Sequence, residues 1–130
     1  MKPIFTILIA DRNKHVRELL KRELSDDGHQ VILAKTAAEI VTIFSTVEFI
    51  NLLILDTDLP DGDVVDIMLK LKDRFDALPI IIHSCGGDRQ FSLSLSNKIY
   101  EIEKGTTSIS QIKILVDQIS RKDAERIHSS

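Results

Sequence analysis

The chain holds a single cysteine, no tryptophan, three prolines and five glycines in 130 residues. One cysteine, Cys85, excludes an internal disulfide and fits a reducing compartment. No basic run marks a nucleic-acid surface, and no basic residues interleave with aromatic ones; aromatics make up 5% and the net charge of −3 is spread over interspersed acids and bases. The opening stretch MKPIFTILIA reaches Asp11 without a small-residue cleavage site and is far too short to span a bilayer. These absences predict a cytoplasmic protein with no membrane insertion and no direct nucleic-acid contact. Repeats, low-complexity tracts and linkers are missing as well. Nothing therefore divides the chain, and 43% hydrophobic residues can bury the core of one domain. The polar segment 123–130 is expected to be a tail to a domain over 1–122.

The informative stretch is NLLILDTDLPDGD, Asn51–Asp63. Its apolar run reads as a strand buried on both faces, ending at Asp56 in turn-forming Asp58, Pro60, Asp61 and Gly62. Around it, apolar runs predict strands at Ile4–Ala10, Gln30–Ala34, Asn51–Asp56, Pro79–His83 and Ile99–Glu103. Helices are predicted between them. The first carries Val16, Leu19, Leu20 and Leu24 and ends at Gly28. The second opens with the capping box Thr36–Glu39 and carries Ile40, Ile43, Phe44 and Val47. The third is capped by Asp61 or Asp63, with Val64, Val65, Met68 and Leu71 inward. Gln90–Asn97 alternates apolar and serine and predicts only a short, irregular helix. The last is capped by Ser108 or Ser110 and carries Ile109, Ile112, Val116 and Ile119. Alternating strands and helices imply a parallel sheet, here an α/β flavodoxin-like doubly wound (βα)5 sandwich in order 2-1-3-4-5.

In that topology the ligand crevice lies beyond the carboxyl ends of the first and third strands. Asp11, Asp56, Ser84 and Lys104 all stand at strand ends, so four strands feed one pocket. Two carboxylates and a nearby carbonyl suit Mg²⁺, a hydroxyl and an ammonium suit a phosphoryl group, and a carboxylate can itself be the nucleophile. His83 reads as a packed core histidine, Cys85 as a small buried residue, and the Glu and Lys of the first helix as a solvated face.

With those residues in view, the chain resembles the receiver domain of two-component response regulators (the CheY-like family) over roughly Ile4–Ile119. ILIADRN is similar to that family's first-strand acidic motif and LILDTDLPDGD to its phosphoacceptor motif. LPIIIHS is similar to its fourth strand with the switch hydroxyl, and Glu103–Lys104 to its fifth strand with the lysine. The resemblance implies that Asp56 accepts a phosphoryl group from a histidine kinase or phosphotransfer protein, and that the domain is not an enzyme beyond slow self-dephosphorylation. It implies Mg²⁺ held by Asp11, Asp56 and the backbone carbonyl of Asp58. It also implies that Ser84 hydrogen-bonds the phosphoryl group and that Lys104 pairs with it.

Three positions depart from the family pattern. Arg12 replaces a second acid, and unit charges about 4 Å apart interact by roughly 4 kcal/mol at an effective dielectric of about 20, enough to weaken Mg²⁺ binding. Glu101 stands in the place of the switch aromatic, with Tyr100 turned to the other face by the one-residue offset. Gly105 stands where a proline follows the lysine. Two alternatives follow. One is a pseudo-receiver docking module with weak or no metal binding. The other is a haloacid-dehalogenase-type phosphohydrolase, whose DxD motif LDTDLPDG also resembles.

Overall fold

The computed structural model describes residues 3–47, 49–72, 78–85 and 98–128, apart from the side chains of 64, 65, 68, 72 and 126–128. Five strands, β1 (Thr6–Ala10), β2 (Gln30–Ala34), β3 (Leu52–Asp56), β4 (Ile80–Ser84) and β5 (Ile99–Glu103), form one parallel sheet in order β2-β1-β3-β4-β5. This is the order expected from the sequence. Four helices connect or follow the strands among the described residues: α1 (Lys14–Asp26), α2 (Ala37–Thr46), α3 (Val64–Lys72) and α4 (Ser108–His128). The helix expected at Gln90–Asn97 lies outside the described residues, as do the expected inward side chains of Val64, Val65 and Met68.

β3 and β4 are buried at every position, which is why they read as solid apolar runs. Alternate side chains point to opposite faces. Ile7, Ile9, Leu52, Ile54, Ile81 and Ile102 pack with Leu20 and Leu24 of α1 and Ile112, Val116 and Ile119 of α4. Leu8, Ala10, Leu53, Leu55, Ile80 and Ile82 pack with Ile40 and Phe44 of α2 and Ile67 and Leu71 of α3. The sheet is thus packed on both faces among the described residues.

Several local expectations are corrected. β1 begins at Thr6 rather than Ile4, which is 64% exposed, because the Phe5 N–H leaves the strand pairing for His29 Nδ1 at 3.0 Å. Leu19 is exposed, and the inward face of α1 is Arg17, Leu20 and Leu24. β4 runs one residue further, so Ser84 is a buried strand end rather than the first loop residue. Cys85 is exposed, not a small buried residue. Helix α4 continues to His128, so the polar segment from Asp123 is helical up to that point. The Ser108 hydroxyl donates to the Gly105 carbonyl at 3.0 Å instead of accepting a helix N–H.

The second helix begins at the expected cap, Thr36, although the glutamate of the capping box accepts from Lys35 rather than from Thr36 itself. Thr36 Oγ1 accepts the Glu39 N–H at 3.1 Å, and Glu39 reaches back to the Lys35 N–H at 2.6 Å. Asp61, expected at the third helix, instead caps the second: its carboxylate accepts from Ala37 N (2.6 Å) and Ala38 N (3.0 Å). Those N–H groups hold the Asp61 carboxyl below its usual range. The loop after β3 is thereby fastened to α2. Gly62 lies so close that a Cβ there would sit 2.6 Å from Ala37 Cβ. Gly62→Ala is expected to destabilise by about 1–3 kcal/mol through overpacking. Urea unfolding measures this, and an unchanged midpoint would refute the close approach.

Candidate functional site

The site is assembled by register. Ala10 pairs with Leu55, so the next residues, Asp11 and Asp56, leave β1 and β3 side by side. Asp56 pairs with His83 across β3 and β4, and Ser84 pairs with Glu103 across β4 and β5. The Lys104 N–H then donates to the Ser84 carbonyl at 2.6 Å, which fixes where the lysine leaves the sheet. Its Nζ lies 3.1 Å from Asp11 Oδ2 and 3.2 Å from Asp56 Oδ1. Asp11 and Asp56 are buried, at 2% and 0% exposure, so this ammonium bridges two carboxylates withdrawn from water.

Every carboxylate oxygen of that pair is occupied. Asp11 Oδ1 accepts the Asn13 N–H at 2.8 Å, Asp56 Oδ1 accepts the Asp58 N–H at 3.1 Å, and Asp56 Oδ2 accepts the Arg12 N–H at 3.1 Å. Burial pushes both carboxyls up. For Asp11 burial prevails, reinforced by the charge of Asp56, and its carboxyl is raised. For Asp56 burial is outweighed by the Arg12 and Asp58 N–H groups and by Lys104, so its carboxyl is held below the ordinary range. Burial pulls Lys104 down, but Asp11 and Asp56 outweigh it and the ammonium is held above its usual range. Of the two carboxylates, Asp56 is thus the one whose surroundings favour the charged form more strongly.

Arg12 lies beside the site. Its guanidinium is about half exposed, with Nε 4.0 Å from Asp56 Oδ2 and a terminal nitrogen 3.9 Å from Asp58 Oδ2. Ser84, on the opposite face of the sheet from Asp56, points its hydroxyl to Glu101 Oε1 at 3.4 Å. Asp11, Arg12, Asp56, Asp58 and Lys104 thus meet at the carboxyl end of the sheet, and Ser84 stands at the end of β4 with its hydroxyl on Glu101.

Two contributors escape a reading by motif. Arg17 is buried and donates to the Asp11 carbonyl at 2.7 Å, setting the turn from which Asp11 projects. Its position three residues before Leu20 on the inward stripe was the available signal. Asn13 caps α1, its side chain accepting from His15 N and Val16 N, while its own N–H orients Asp11.

For a hard divalent cation the donor set is thin. Asp11 and Asp56 suit Mg²⁺ in kind, but their oxygens already serve protein donors and two cationic side chains stand within 4.0 Å of them. Among the described residues no three His, Cys, Asp or Glu side chains form a group that could hold a metal ion. The residues fit a weakly held ion rather than a tightly bound one.

Comparison with known proteins agrees with this geometry. Residues 7–97 match the family model described as the response regulator receiver domain. Response regulator RR06 of Streptococcus pneumoniae is 30% identical over 82 residues, 63% of this chain and 37% of that protein. Response regulator MprA of Mycobacterium avium is 33% identical over 76 residues, 58% of this chain and 33% of that protein. The chain thus spans about a third of the length of these curated relatives. A CheY-like receiver domain protein from Methanospirillum hungatei superposes with a TM-score of 0.78 at 24% identity, covering 94% of this chain and 98% of that one. Response regulator protein TrrA from Thermotoga maritima, solved in complex with Mg(2+)-BeF, gives 0.73 at 24% identity, covering 88% and 98%. The phosphohydrolase alternative finds no support in these matches. Among the described residues no helix is long and apolar enough to cross a membrane.

His83, beside Asp56 in register, is 2% exposed and neither ring nitrogen has a hydrogen-bond partner. It is the packed core histidine the sequence suggests. Burial, with a smaller contribution from Lys104, pulls it from 6.5 down to about 4. Between those values the unfolded chain binds the proton that the folded chain refuses, so stability falls as pH drops through that window. The expected loss between about pH 7 and pH 5 is about 2 kcal/mol. His83→Phe should flatten the pH dependence of urea unfolding over that range, and identical slopes in both proteins would contradict the assignment.

Proposed function

The chain belongs to the response regulator receiver domain family, and on that premise we propose that Asp56 is its phosphoacceptor. The observation that carries the reading is the Lys104 ammonium, 3.1 Å from Asp11 and 3.2 Å from Asp56. It joins the strand-end carboxylates and stands where a transferred phosphoryl group would need a counter-charge. The receiver unit is assigned to residues 1–122, acting in the cytoplasm.

The donor is a phosphohistidine on a histidine kinase or phosphotransfer protein. An Asp56 oxygen attacks phosphorus and the P–N bond breaks. Its electron pair stays on the imidazole nitrogen; with the other ring nitrogen carrying a proton, the departing group is neutral histidine, and the product is an acyl phosphate on Asp56. Lys104 needs only to shift from the carboxylate oxygens to a phosphoryl oxygen. The Ser84 hydroxyl turns from Glu101 to another. Water returns the carboxylate by slow hydrolysis, releasing inorganic phosphate. Asp11, Asp56 and the backbone carbonyl of Asp58 are the groups that would hold Mg²⁺, which would neutralise charge on the phosphoryl oxygens, and Arg12 makes that binding weak. The output is a changed partner surface near β4 and β5.

Incubation with acetyl phosphate followed by intact-mass measurement tests the assignment. The wild type is expected to gain the mass of one phosphoryl group, labile to hydroxylamine, and Asp56→Asn to gain none. Labelling that survives in Asp56→Asn would refute it.

A further inference from the structure

The two cations of the site stand on different oxygens of one carboxylate. Lys104 Nζ is 3.2 Å from Asp56 Oδ1, and Arg12 Nε is 4.0 Å from Asp56 Oδ2. A group attached to Asp56 would therefore have an ammonium near one carboxylate oxygen and a guanidinium near the other. The placement of Arg12 is built in. Its N–H is bound to Asp56, Arg17 holds the preceding carbonyl, and Asn13 closes the turn as the cap of α1. Asp58 Oδ2 lies 3.9 Å from the guanidinium, which is about half exposed.

Charge counting gives the consequence. Lys104 and Arg12 match two of the three carboxylates Asp11, Asp56 and Asp58 before any ion is added, and half-buried Asp58 lies nearest the Arg12 guanidinium. A divalent cation would enter beside two fixed positive charges and compete for oxygens already engaged. A phosphoryl group adds negative charge, and a guanidinium offers it paired, fixed donors. We propose that Arg12 and Lys104 together supply the counter-charge for a phosphoryl-type anion on Asp56, so that this site takes the anion without a bound divalent cation. The proposal rests on the reading of Asp56 as phosphoacceptor.

Beryllofluoride, which binds carboxylates as a phosphoryl mimic, separates the two ideas. Its binding is followed by amide shifts in two-dimensional NMR of the full chain, once in EDTA and once in excess Mg²⁺. The wild type is expected to bind in EDTA, with an affinity that Mg²⁺ changes by less than about threefold; Arg12→Asp should bind only with Mg²⁺, improving about tenfold or more on its addition. Arg12→Lys should keep the metal independence, which holds the test open if Arg12→Asp folds poorly. Wild-type binding that appears only with Mg²⁺ would overturn the role of Arg12 while leaving Asp56 as acceptor. No binding under either condition, together with no acyl phosphate from acetyl phosphate, would remove both.

Discussion

The structure of this site depends on one ammonium between two buried carboxylates. Asp11 and Asp56 leave adjacent strands in register, so the sheet forces them together whatever their charge. Two like charges taken out of water would be costly if left alone. Lys104 resolves the conflict from the far edge of the sheet, where β5 delivers it through the Ser84 carbonyl. Three strand ends are thus tied by a single side chain, and the site is a consequence of how the sheet ends. A buried pair held this way is weak evidence for stability and stronger evidence for function, because an apolar trio would pack the same place without the desolvation cost.

Around that ammonium the loops are fastened by groups that do no chemistry. Arg17 and Asn13 set the turn after β1, and Asp61 ties the turn after β3 to the start of α2. The close approach of Gly62 to Ala37 belongs to the same fastening. Each replaces water on an otherwise orphaned backbone group, so the carboxylates are held by a frame rather than by their own packing. Arg12 is part of that frame through its backbone and part of the chemistry through its side chain.

The sheet was legible because its strands are buried on both faces, which makes each an unbroken apolar run, and because alternation with helices fixes a parallel order. The cluster of Asp11, Asp56 and Lys104 followed from strand ends alone, whereas Ser84, at the neighbouring strand end, turns its hydroxyl to Glu101. What escaped were contacts between segments distant in sequence. Asp61 could be seen to be a cap, but not that it caps the helix of residues 37–46 rather than the one that follows it. Hydrophobicity places Leu19 inward where Arg17 is, because it cannot tell that a guanidinium is wanted to bind the carbonyl of Asp11. Residue type places Cys85 inside, while its position just past the end of β4 exposes it.

The face of the sheet on which each residue lies bears on how phosphorylation would be read. Tyr100 packs with Ile102 and the α1–α4 side, as the one-residue offset predicts, so it cannot follow Ser84 on the opposite face. Glu101 can, because its carboxylate already accepts the Ser84 hydroxyl. Under the phosphoacceptor reading, a phosphoryl group on Asp56 and Glu101 compete for one donor, and each is the other's like charge. Loss of that hydrogen bond leaves Glu101 beside Glu103, both exposed on β5, with added negative charge behind them. Glu101 is already exposed, so under that reading what changes at position 101 is the loss of the Ser84 hydroxyl rather than the burial of a ring.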